Sequence, residues 1–111
     1  MRKYSIIKKE RDFKKIFQEG KKINNPLFTL IYLKNNNDPK NRLAFIVPKK
    51  AFKKAHQRNL IRRRLKSIFD QINFQTSGLN LIIIAKISLA EKSFKEIEEI
   101  IKKTLEKENL I

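Results

Sequence analysis

The sequence predicts an α+β fold, a single α/β sandwich whose elements run in the order α-β-β-β-α-β-α along one domain of residues 1–111. Three observations carry this prediction. Three segments place apolar residues at helical intervals. Between them lie runs rich in aromatic and β-branched residues, punctuated by Asn, Pro or Gly. No linker, repeat or low-complexity segment interrupts them, and 111 residues with 41% hydrophobic content suffice for one modest core.

The first helix is expected from about Glu10 to Glu19. Phe13, Ile16 and Phe17 fall at i, i+3 and i+4, Glu10 and Asp12 suit the positive end of a helix, and Gly20 stands where a C′ glycine belongs. "KKINN" adds a short strand after it. The run from about Leu27 to Leu33 reads as a strand, followed by a turn over Asn35 to Lys40. "NRLAFIVPKK" is the next strand, stopped near Pro48, and the two are expected to pair antiparallel.

In "KKAHQRNLIRRRLKSIF" (Lys53 to Phe69), 100° per residue gathers Ile61, Leu65, Ile68 and Ile72 within roughly 60°. Asn59, Arg62, Arg63 and Lys66 fall on the adjoining side, so this helix has a core stripe and a separate basic face. "LNLIIIAK" reads as a buried central strand, because a continuous aliphatic run has little reason to face water. Strand, basic helix and strand make a β-α-β crossover, for which a right-handed connection is the ordinary expectation. Ser93 followed three residues later by Glu96 has capping-box spacing, and Phe94, Ile97, Ile101 and Leu105 continue a third helix.

The formal charge is +16, from 27 basic and 11 acidic residues. It is uneven: 21 basic and 4 acidic residues lie up to Lys66, against 6 and 7 beyond it. Such a field attracts polyanions, nucleic acid first among them. Lys49 to Lys66 holds nine bases and no acid. A solvated face is the ordinary meaning of a charge run. Here, however, like charges at i, i+4 (Lys54 with Arg58, Arg58 with Arg62) would each cost an isolated helix about 0.2–0.5 kcal/mol. A partner that neutralises them explains their tolerance. A membrane surface fits poorly, since the apolar face is committed to the core. Only Gln57 and Asn59 could read base edges, and Arg predominates from Arg58 onward, which suits bidentate phosphate contacts on a folded RNA.

Other chemistries find no residues. There is no Cys and a single His, so neither a disulfide framework nor a thiolate or histidine metal cluster is expected. The N-terminus turns charged too soon for a signal peptide, and the longest apolar run, Leu81 to Ala85, is too short to span a bilayer. A cytoplasmic protein without a membrane partner is expected. The acids of the basic part, Glu10, Asp12, Glu19 and Asp38, have no spacing suited to a two-metal nuclease. No catalytic or metal-ligating residue is therefore assigned, and His56 reads as a solvated side chain.

"VPKKAFKKAHQRNLIRRRLKSIF" resembles the signature of the bacterial ribonuclease P protein subunit, in which a Lys-Lys pair ends a strand and an Ala-x-x-Arg-Asn-Arg-Ile-Lys-Arg-x-x-Arg helix follows. "DFKKIFQEGKK" and "LNLIIIAK" fall where that family has an Asp-Phe-x-x-Val-Phe-x-x-Gly helix and its last strand, so the resemblance covers nearly the whole chain. It implies a non-catalytic subunit, one per ribonuclease P RNA. The RNA holds the Mg2+ ions and cleaves precursor tRNA, releasing the 5′ leader, and the protein binds no cofactor of its own. It also implies a left-handed crossover, against the ordinary expectation. The rival is a basic ribosomal or other RNA-binding structural protein, which shares the composition but not the joined motif.

Carried over by position, the resemblance places Lys49, Lys50, Arg58, Asn59, Arg62, Arg63 and Lys66 on the RNA-subunit face, with Ile61 the motif's aliphatic residue, and Lys53, Lys54 and Arg64 are assigned to the same face. Asn59 reads equally as a structural amide. Lys66 stands where the family has Arg. Leu60 occupies the position of the motif's second Arg, and Arg64 a position usually aliphatic. These two lie one turn apart, so the charge is expected to have moved by about 6 Å along the helix, with Arg64 standing in. For the leader cleft the resemblance implies Phe13, Phe17 and Ile31, the last in place of a strand Tyr, while Tyr32 faces the other side of the sheet. By periodicity alone, Phe13 and Phe17 would be core; the resemblance makes them a platform for bases.

Overall fold

A computed structural model describes residues 4–35 and 37–111. In chain order its elements are β1 (Ser5–Ile6), α1 (Glu10–Glu19), β2 (Lys21–Asn24), β3 (Phe28–Lys34), β4 (Arg42–Ile46), α2 (Ala55–Asp70), β5 (Leu79–Ala85), a 3₁₀ turn (Ile87–Glu91) and α3 (Phe94–Lys107). One five-stranded sheet, in the order β1-β4-β5-β3-β2, carries helices on both faces. This is the predicted α+β sandwich, with β1 and the 3₁₀ turn added. β1 has only two paired residues, too few to leave a periodic signal.

β5 is central, as its aliphatic run predicts, with five of its seven residues buried. It pairs parallel with β4 and antiparallel with β3. This corrects one expectation: β3 and β4 are not neighbours, because β5 inserts between them. A strand buried on both faces needs a partner along each edge, and the most apolar strand of the chain takes the middle. The seven-residue connection 35–41 is also longer than a tight hairpin loop. It crosses the start of β5 and is fastened there: Asn41 accepts from Leu79 N at 3.0 Å and donates to Thr76 O at 3.1 Å, while Asn35 N donates to Gly78 O at 2.7 Å. Gly78 has φ +69°, and a Cβ there would lie 2.0 Å from Asn35 O. Only glycine allows that crossing.

Alternation along the strands divides the core in two. Leu30, Leu43, Leu81 and Ile83 face α2 and α3, meeting Ile61, Leu65, Ile68 and Phe69 of the former and Ile97, Ile101 and Leu105 of the latter. Burial of each such side chain contributes about 1.5–3 kcal/mol, so this layer holds α2 in place. Ile31, Ala44 and Ile82 face the other way, beneath Ile16 of α1. The predicted capping box is present, with Glu96 N donating to Ser93 Oγ and Ser93 N to Glu96 Oε1.

The C-terminus is tied to the sheet edge. Glu108 accepts from Tyr32 Oη at 2.8 Å and pairs with Lys21 Nζ at 2.7 Å. Lys21 and Tyr32 hold the Glu108 carboxyl below its ordinary range. The Ser93 cap does the same for Glu96, and the Lys40 amide with Arg42 for Asp38. A carboxyl whose folded pKa is depressed gives its full stabilisation above the unfolded pKa and loses it as pH falls through the folded one. The thermal midpoint should therefore be flat from pH 7 to about 5 and decline below about pH 4. Glu108→Gln should lower the neutral-pH midpoint and shrink the acid decline. Melting curves across that range check this, and an unchanged decline in Glu108→Gln would remove Glu108 from the account.

Candidate nucleic-acid interface

Pro48 O accepts from Ala51 N and Phe52 N, closing a turn that projects Lys49 and Lys50 into solvent at the end of β4. Phe52, fully buried, anchors the loop that follows. Arg58 locks that loop to α2, its Nη1 donating to Phe52 O at 2.8 Å and Lys53 O at 3.1 Å. The basic turn is thus held to the basic helix.

The predicted two-sided helix is present. Ile61, Leu65, Ile68 and Phe69 are buried; Ile72 is buried just past the helix end. Asn59, Arg62 and Arg63 are exposed, and Arg64 and Lys66 are half-buried along the flanks. Asn59 Oδ1 accepts from Arg62 Nη1 at 3.4 Å, so the amide steadies a guanidinium. Tyr4 Oη donates to Asp70 Oδ1 at 2.6 Å, engaging the one acid of α2 at its far end.

Among the described residues, ion pairs join Lys14 to Glu10, Lys21 to Glu108, Arg42 to Asp38 and Lys102 to Glu98. None involves a base between Lys49 and Lys66. Two shallow hollows mark the outer side of α2. One, of about 420 Å³, is lined by Ala51, Lys53, Lys54, His56, Gln57 and Leu60; the other, of about 520 Å³, by His56, Asn59, Arg62 and Arg63. Uncompensated cations on a fixed scaffold suit a polyanion.

Sequence reasoning missed two features of this region. Arg58, expected on the RNA face, also has a structural part that the sequence reading does not include: it is half-buried and spends Nη1 on its own loop. Its position three residues before Ile61, beside the core stripe, is the signal that could have shown this. Phe52 was not singled out, because one aromatic in a loop has no periodicity.

On the opposite face of the sheet, Ile16 pins α1 down. Phe13 is half-buried on one flank, and Phe17, one turn on, is 43% exposed. Ile46 and Ile84, paired across β4 and β5, are half-buried on the same sheet face. Ile31 is 1% exposed and packs with Ile16, so it offers no surface to a ligand. That corrects its place among the cleft residues: it is the floor of α1. Tyr32 faces the other side, as predicted.

A family model described as ribonuclease P matches residues 1–109. The chain belongs to the ribonuclease P protein component family. It is similar to the ribonuclease P protein component of Clostridioides difficile, 31% identical over 107 residues that cover 94% of this chain and 91% of the relative. A second relative of the same name, from Alkaliphilus oremlandii, is 32% identical over 116 residues, covering 100% and 96%. Among solved structures, the Thermotoga maritima RNase P protein matches with TM-score 0.77 and 30% identity over 93% of this chain and 96% of that one. The Staphylococcus aureus RNase P protein matches with TM-score 0.85 and 25% identity over 97% and 98%. The matched span includes α2, whose cations have no acidic ion-pair partner among the described residues. Among the described residues, no helix is long and apolar enough to cross a membrane.

Proposed function

We propose that the whole chain acts as one RNA-binding domain, the protein subunit of ribonuclease P. It binds the catalytic RNA through the turn at Lys49 and Lys50 and the outer side of α2, and it holds the 5′ leader of precursor tRNA against α1. The observation that carries this reading is the acid-free basic surface from Lys49 to Lys66, fixed by Phe52 and Arg58, in a member of this family.

Arg62 and Arg63 are the principal phosphate ligands, being exposed and off the core stripe. Lys53, Lys54 and Lys66 extend the cationic surface, and Arg64 takes the charge absent at Leu60. Phe13 and Phe17 border the leader's path. A ring platform on a basic protein binds single strands with little base preference, which suits a subunit that meets many leaders. Cleavage and its Mg2+ ions belong to the RNA in this reading, with one protein bound per RNA. Of the four carboxylates in the basic part, Glu10 is paired with Lys14 and Asp38 with Arg42.

Protein freed of RNA should therefore leave precursor tRNA intact, and should bind ribonuclease P RNA more tightly than an unrelated RNA of equal length. Gel analysis of precursor tRNA and a competition titration check the two arms. Cleavage by RNA-free protein that disappears in Glu10→Gln or Asp12→Asn would contradict the assignment.

A further inference from the structure

The outer side of α2 is charged or polar except at Ala55, in its first turn, and at Leu60, its one large apolar side chain. At 100° per residue, Leu60 lies roughly 110° from the mid-line of Ile61, Leu65 and Ile68, so the core makes no demand on it. It is 39% exposed and forms, with half-buried Ala51, the apolar floor of the hollow of about 420 Å³. Lys53, Lys54 and His56, all exposed, stand at the rim, and half-buried Gln57 completes it.

A surface built only for phosphates has no use for an apolar floor, and an apolar ligand has no use for a cationic rim. One chemical group satisfies both: a nucleobase, with apolar faces and a polar edge, delivered on a phosphate chain. We propose that the notch receives a single unpaired nucleobase of the RNA partner, its face on Leu60 and Ala51, its flanking phosphates on Lys53 and Lys54, and its edge toward the Gln57 amide. This rests on the reading of α2 as the RNA face and adds to it a base-binding seat.

The test measures binding of the full-length protein, Leu60→Ser and Leu60→Phe to ribonuclease P RNA over a range of salt, and to heparin, a polyanion without bases. Leu60→Ser should bind the RNA about five-fold more weakly, the effect of losing a modest apolar contact. The slope of log K against log salt and the affinity for heparin should both stay unchanged, because no phosphate contact is removed. Leu60→Phe, which keeps an apolar face, should bind the RNA at least as tightly as the wild type. Wild-type affinity in Leu60→Ser, or an equal loss on RNA and heparin, would overturn the notch. A wild type that does not prefer ribonuclease P RNA to unrelated RNA of equal length would instead overturn the RNA-face reading, and the notch with it.

Discussion

With Arg62 and Arg63 both changed to Ala, the protein should bind ribonuclease P RNA about ten- to a hundred-fold more weakly at low salt, which is about 0.7–1.4 kcal/mol for each of two solvent-exposed phosphate contacts. The slope of log K against log salt should become shallower by about 1.4–1.8, since each neutralised phosphate contributes roughly 0.7–0.9. The thermal midpoint should not fall, because both side chains are exposed and the stripe of Ile61, Leu65 and Ile68 is untouched. Filter binding at four or five salt concentrations, beside a melting curve, separates the two effects. An unchanged slope would place the RNA face on another surface.

Phe17→Ala should weaken binding of precursor tRNA to the assembled holoenzyme by about five- to a hundred-fold, the range given by stacking worth about 1–3 kcal/mol per base. Mature tRNA, which lacks the leader, should bind almost as before. Phe17 is the cleaner probe of the two rings: it is 43% exposed, whereas Phe13 packs partly into the cluster around Ile16. Comparing the two ligands removes misfolding as an explanation, since a damaged subunit would lose both. Equal loss would detach the leader from α1 and direct the search to Ile46 and Ile84.

Features written in adjacent residues were legible in the sequence. The bounds of α1, the capping box of α3 and the two-sidedness of α2 depend on spacings of three and four residues, which tertiary contacts here reinforce. β5 was legible as the central strand because the five consecutive apolar residues from Leu81 to Ala85 put apolar side chains on both faces. The partner of β3 was not, because pairing is decided by which strand most needs two covered edges, and β5 lies more than forty residues away in sequence. Ile31 was placed in the cleft by analogy with a strand Tyr, yet an aliphatic side chain under Ile16 joins the core instead. For Arg58, charge suggested solvent, while its angular position beside Ile61 brings it to the carbonyls of Phe52 and Lys53.

In the proposed role, this chain serves cleavage by equipping an RNA to perform it. The most direct test of that role is single-turnover cleavage of precursor tRNA by ribonuclease P RNA, at moderate salt and low Mg2+, with and without the protein. Cleavage at the mature 5′ end should appear or accelerate strongly when wild-type protein is added, and only weakly with the Arg62→Ala, Arg63→Ala double variant. Cleavage at the same rate with and without wild-type protein, under conditions where the protein is bound to the RNA, would contradict that role.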